Sequence, residues 1–172
     1  MKLIPRSLRG ISLIELLLYI TVLSAVLLML AMFLSFLVSS RIKNQSIADV
    51  NQQGLQVMQL VTQTIRNAKT IDFPGIGATS SSLSMTMHDP FLSPTVFEST
   101  SGTVTIKEGS SEVIPLTNSH VAVSDLVFQN ISSITSTERV VRISFTVDYK
   151  NTSGRNENSF TKSFIGSATL RQ

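Results

Sequence analysis

The sequence contains no cysteine and no tryptophan, and only 15% of its 172 residues are charged. Without cysteine there is no disulfide framework, no thiolate zinc site and no cysteine nucleophile. An average soluble domain carries about 25% charged residues; here Ser and Thr, 43 residues together, stand in their place. Disorder driven by charge is excluded, and so is a polybasic nucleic-acid binder, so no nucleic-acid contact is expected. Proline is scarce, and none lies between Pro5 and Pro74. The formal net charge of +3 matches Lys2, Arg6 and Arg9 in the first ten residues, which hold no acid. The remainder sets eleven basic residues against eleven acidic ones. The basic character belongs to a short leader.

What the chain does have is one long apolar run. From Leu16 to Ser40, 25 residues pass without a charge, and Ile11 to Val38 is overwhelmingly Leu, Ile, Val, Met, Phe and Ala. About 20 such residues span a bilayer core as a helix. The 28 residues from 11 to 38 reach roughly 42 Å at 1.5 Å per residue. A cleaved secretory signal has an apolar region of about 7–15 residues and a small-residue site behind it. This run is longer, and Val38-Ser39-Ser40-Arg41 is a poor cleavage site. The segment is expected to stay in the protein.

Four regions follow: a cationic leader (1–10), a membrane half-helix (11–38), an amphipathic half-helix (39–71) and a strand-rich domain (72–172). In the amphipathic half, Ile47, Val50, Gly54, Met58, Val61, Ile65 and Ala68 recur at spacings of three and four, which is one helical face. Gln45, Asp49, Gln52, Gln56, Gln59, Gln63 and Arg66 fill the other. The helix is expected to stop near Asp72-Phe73-Pro74-Gly75. A continuous helix over 11–70 would be roughly 90 Å long, more than a single globular domain can bury.

Beyond it the pattern alternates. Leu83–Met87, Val104–Ile106, Val113–Leu116 and Asp125–Asn130 are strand candidates. Val140–Tyr149 is the clearest, with Val141, Ile143, Phe145, Val147 and Tyr149 on one face. In Phe160–Leu170 the residues Phe160, Phe164, Ala168 and Leu170 are in phase, and the polar stretch 150–159 joins these two strands as an antiparallel hairpin. Thr79–Ser82 and Glu98–Ser111 read as loops or weak edges. The fold class is α+β: a long N-terminal helix whose distal half covers the apolar face of an antiparallel sheet.

The informative string is Arg9-Gly10-Ile11-Ser12-Leu13-Ile14-Glu15-Leu16-Leu17. An acid inside a membrane-length apolar run is costly, about 2.5–3.5 kcal/mol at a helix centre and less near its start. Glu15 therefore calls for a cationic partner, and a cut after Gly10 would create one, the α-amine of Ile11. Glu in the first turn also suits the helix dipole.

This string resembles the type IV pilin family, which includes the type II secretion pseudopilins. There a cationic leader ends in Gly and is followed by Phe-Thr-Leu-Ile-Glu-Leu and a long apolar helix. The resemblance implies that prepilin peptidase cuts between Gly10 and Ile11, that Ile11 becomes the N-methylated first residue, and that Glu15 is the buried acid of an assembly charge pair. Ile11 and Ser12 depart from the commonest Phe and Thr, and the membrane helix lacks the Pro of many major pilins. Leu55 to Ala68, Pro115 to Phe128 and Ala168-Thr-Leu-Arg171 look like segments of the J-type minor pseudopilin and the W-type minor pilin. The presence of Glu15 sets the chain apart from the K-type tip subunit.

The resemblance implies a minor pilin or pseudopilin, a structural subunit of a type IV pilus or type II secretion pseudopilus. Its implied partners are prepilin peptidase, other pilin subunits and the membrane. The implied location is the cytoplasmic (inner) membrane, single-pass with the C-terminal domain outside, and then the filament. The alternative is a membrane-anchored extracytoplasmic binding module that does not polymerise. An enzyme has no residues to stand on. His88 and His120 are 32 residues apart with no clustered acid nearby, so no metal site and no cofactor are expected. Gly75-Ile76-Gly77 lacks the Lys of a phosphate loop, and no Gly-x-Ser-x-Gly elbow is present.

Overall fold

The computed structural model describes residues 12–133, 138–151 and 159–170. One long helix, α1 (Leu13–Asn67), is followed by nine strands: β1 (Ala68–Phe73), β2 (Thr79–Ser80), β3 (Leu83–Met87), β4 (Thr95–Thr100), β5 (Thr103–Glu108), β6 (Ile114–Pro115), β7 (Val121–Asn130), β8 (Val140–Tyr149) and β9 (Thr161–Thr169). The chain divides into two compact units, Met1–Arg41 and Ile42–Gln172. The α+β class is as the sequence implies, a long N-terminal helix packed through its distal part on antiparallel sheet. The strands form two sheets instead of one, ordered β1-β3-β4-β5-β6 and β2-β7-β8-β9.

In the second unit, α1 buries Ser46, Val50, Gly54, Val57, Val61 and Ile65. The apolar stripe is the expected one with two corrections. Val57 is fully buried where Met58 was expected, and Met58 packs at the flank of the core. Ile47 is half-buried, and Ser46 sits inside, its hydroxyl donating to the Ile42 carbonyl at 3.1 Å. Gln45, Gln52, Gln56, Gln59, Gln63 and Arg66 are exposed.

The helix ends at Asn67, four residues before the expected boundary at 71, and the chain passes directly into β1. Ala68 explains the difference. It completes the helical stripe by spacing, yet it is buried as a strand residue opposite Met87. Thr70 and Ile71 then favour extended backbone because their branched Cβ atoms crowd a helical turn.

The two halves of the strand-rich region share one core, which joins Leu83, Met85, Phe97, Val104 and Ile106 to Val121, Phe128, Val141, Ile143, Phe145, Val147 and Phe164. Strand β8 buries its 141, 143, 145 and 147 positions, as alternation requires. It pairs antiparallel with β9 from Val140↔Thr169 to Asp148↔Thr161. Strand β7 is longer than its sequence candidate. A bulge at Asp125, whose φ is +52°, breaks the register between Ser124 and Val127. Burial therefore shifts phase, from Val121 and Val123 to Leu126 and Phe128.

Val104–Ile106 lies within β5 as expected, but around it, where 98–111 reads as loop or weak edge, β4 and β5 form a full hairpin with pairs from Thr95↔Glu108 to Thr100↔Thr103. Its two-residue turn, Ser101-Gly102, has φ of +53° and +75°. Positive φ at both turn positions is the geometry that matches strand twist. Thr79–Ser80, also expected as loop, pairs with Gln129 and Phe128.

Helix and sheet interlock at two glycines. A Cβ on Gly54 would collide with the Phe164 ring, and one on Gly166 would lie 2.7 Å from Met58 Sδ. Each element thus sends one large side chain into the other's glycine. Above this contact, Lys162 Nζ donates to Asn51 Oδ1 at 2.6 Å and lies 5.3 Å from the Phe164 ring centroid. Gly54→Ala gains about 1 kcal/mol of helix propensity, but overpacking a filled core costs typically 1–3 kcal/mol. The Phe164 ring cannot retreat, because Phe145 stacks on it at 5.4 Å. Gly54→Ala is therefore expected to lower the melting temperature of a soluble fragment 39–172, and Gly54→Val to lower it further. A melting temperature raised by the Ala variant would show that the ring yields.

Candidate functional site

The first turn of α1 carries the acid singled out in the sequence. Ser12 precedes the helix, and its Oγ accepts from the Glu15 backbone N–H at 3.3 Å. Its carbonyl accepts from the backbone N–H groups of Glu15 and Leu16, each at 3.1 Å. Ser12 is the N-cap residue, because a short hydroxyl side chain can satisfy an N–H that has no intrahelical acceptor. The spacing Ser-x-x-Glu is that of a capping box, which places the acid at the positive end of the helix dipole.

The Glu15 carboxylate is held by Tyr19, whose hydroxyl donates to Oε1 at 3.0 Å one turn along the helix. This partner went unnoticed in the sequence, although a tyrosine four residues after an acid lies on the same helical face. A carboxylate accepts several hydrogen bonds, so Tyr19 leaves most of its capacity unused. Gly10 and Ile11, the expected cleavage pair, lie outside the described residues.

Around this turn the surface is apolar on every side. Leu13, Ile14, Leu18, Met29, Met32 and Phe36 are all more than half exposed, as is nearly every large residue from 13 to 38. An apolar surface of this extent is a surface for lipid or for other helices. Three hydroxyls along it are bonded locally. Thr21 donates to the Leu18 carbonyl at 2.8 Å, Ser24 to Thr21 at 2.9 Å and Ser39 to Ser35 at 3.1 Å. Backbone and side-chain polar groups in hydrocarbon are costly unless bonded internally, and these bonds do that for Thr21, Ser24 and Ser39. By length and composition α1 is apolar enough to cross a membrane.

Among the described residues no three His, Asp or Glu side chains gather as metal ligands. His88 follows β3, whereas His120 precedes β7, where its backbone N–H is held by Asn118 Oδ1 at 3.0 Å. Gly75-Ile76-Gly77 lies between β1 and β2 in a turn, with the Gly77 N–H donating to the Asn130 carbonyl at 2.8 Å.

The chain matches no protein-family model, no curated protein and no solved structure.

Proposed function

We propose that this chain is a minor pilin or pseudopilin, a structural subunit that leaves the membrane to join a helical filament. One observation carries the reading: an acid in the first turn of an all-round apolar helix, five residues after a glycine that closes a cationic leader. A mere anchor has no use for an acid at that depth, since it adds an insertion cost without a compensating contact. A filament subunit does have a use for it, because the acid can meet the free α-amine of a neighbouring subunit. The distal half of the helix, locked to the sheets by its stripe of Val50, Val57, Val61 and Ile65, supports the same reading. It couples the apolar half to the strand-rich unit by continuous backbone.

In this reading prepilin peptidase removes residues 1–10, and the C-terminal unit lies outside the cytoplasmic membrane. No residue is assigned to catalysis. Mass spectrometry of the mature N-terminus tests it. The expected product begins at an N-methylated Ile11, and Gly10→Val, which puts a branched side chain beside the scissile bond, is expected to abolish it. An intact Met1, or a cut beyond Val38, would instead favour a membrane-anchored binding module that does not polymerise.

A further inference from the structure

We infer that the cavity between β1, the start of β8 and the end of β9 binds a carboxylate carried on a short apolar stem. The cavity measures about 350 Å³ and is lined by Lys69, Ile71, Ile76, Asn130, Arg139 and Leu170, among others. Two of these side chains are cationic, three are aliphatic, and among the described residues no acidic side chain lines it. Arg139 Nη1 is buried and has no hydrogen-bond partner, the one such side-chain nitrogen or oxygen among the described residues. A buried guanidinium nitrogen without an acceptor is costly, and the preferred acceptor of its planar fork is a carboxylate or phosphate oxygen.

The wall around Arg139 is built and held. Its carbonyl accepts from the Leu170 N–H at 2.9 Å. The next residue, Val140, donates its N–H to Ser132 Oγ at 2.9 Å. Asn130 is held in place, with Nδ2 donating one N–H to the Pro74 carbonyl at 2.9 Å and Oδ1 accepting from the Ser132 N–H and hydroxyl. Asn130 thus shapes the cavity, and the cationic groups that meet a carboxylate are those of Arg139 and Lys69. Asp72, the acid of β1, is occupied by the hydroxyls of Thr70 and Thr86 at 3.0 and 2.8 Å. The aliphatic lining of Ile71, Ile76 and Leu170 gives a stem somewhere to lie, which favours an organic carboxylate over inorganic phosphate. The inference holds whether or not the chain polymerises.

The test uses the full chain in a non-ionic detergent, with melting temperature as the readout. Butyrate is expected to raise the melting temperature saturably, weakening as salt is added. Butyramide, its neutral counterpart of the same shape, is expected to leave it unchanged. Arg139→Gln should weaken butyrate binding about ten- to a hundredfold, the equivalent of one hydrogen bond to a charged group. Should that variant fail to fold, Lys69→Gln, on the exposed side of β1, should weaken it several-fold. A tripeptide with a free C-terminal carboxylate, compared with its amide, identifies the source. Tighter binding of the peptide acid points to a polypeptide end, and equal binding to a free small carboxylate. Butyramide matching butyrate, phosphate binding as well as butyrate, or variants that bind like the parent would each overturn the inference.

Discussion

Phe145→Ala is expected to cost about 3–5 kcal/mol, the range for deleting a buried aromatic ring. For a unit of this size that lowers the melting temperature of fragment 39–172 on the order of 10–20 °C. Phe145 lies at the middle of β8, is 1% exposed, and is paired directly with Phe164. Its ring stacks on that of Phe164 with the planes 17° apart, an arrangement worth about 0.5–1.5 kcal/mol beyond area burial. Phe164 in turn occupies the space that Gly54 leaves open in the helix. Removing Phe145 thus withdraws support from the ring on which the helix rests. Against a total stability of about 5–15 kcal/mol for an ordinary domain, the loss is large. Phe91→Ala is the control, because Phe91 is 88% exposed and its loss should leave the melting curve unchanged. If the two variants melt alike, the face of β8 has been assigned wrongly.

The strands that alternation reveals best are those with one apolar face from end to end. Strand β8 has that pattern over ten residues, and β9 with the residue after it buries Phe164, Ala168 and Leu170 in one phase. The helical stripe is equally legible, since every third or fourth residue from Val50 to Ile65 is apolar or glycine. What escapes is set by particular residues. Ala68 satisfies both the helical period and a strand pairing, so periodicity alone runs the helix too far. Strand β4 exposes Glu98, Ser99 and Thr100, leaving only Thr95 and Phe97 to mark a buried face. The Ser101-Gly102 turn was a usable signal there, because glycine accepts positive φ without strain. In β7 the bulged Asp125 shifts the buried phase halfway along, so no single period-two frame fits Val121–Asn130. Of the candidate site, Glu15 is legible because an acid in an apolar run stands out. Ser12 as its cap emerges only from the structure, although the Ser-x-x-Glu spacing is a signal for it. The cavity at Arg139 gathers residues from positions 69 to 170, a juxtaposition that only the strand topology creates.

On the proposed function, Glu15→Gln is expected to leave membrane insertion and Gly10 cleavage intact while lowering incorporation into filaments about thirtyfold or more. Truncating one partner of a buried charge pair costs about 2–5 kcal/mol, and each 1.4 kcal/mol is tenfold. The substitution keeps the size of the side chain and keeps an acceptor for the Tyr19 hydroxyl, so only the charge is lost. The in-chain contact at 3.0 Å separates two roles for the acid. If Glu15 were only a helix-start residue steadied by Tyr19, then Tyr19→Phe and Glu15→Gln would have similar, small effects on the filament. If its charge docks on a neighbour's α-amine, Tyr19→Phe removes a hydrogen bond that merely orients the carboxylate, and only Glu15→Gln is severe. A paired change, Glu15→Leu with Leu16→Glu, retains an acid at nearly the same depth but turns it about 100° around the helix. It should fail like Glu15→Gln, since a facing amine would be missed. Cleavage is read by the size of the mature chain, and incorporation by the share of it recovered in sheared filaments. Parental incorporation of Glu15→Gln would remove the docking role and leave the acid to the capping box with Ser12.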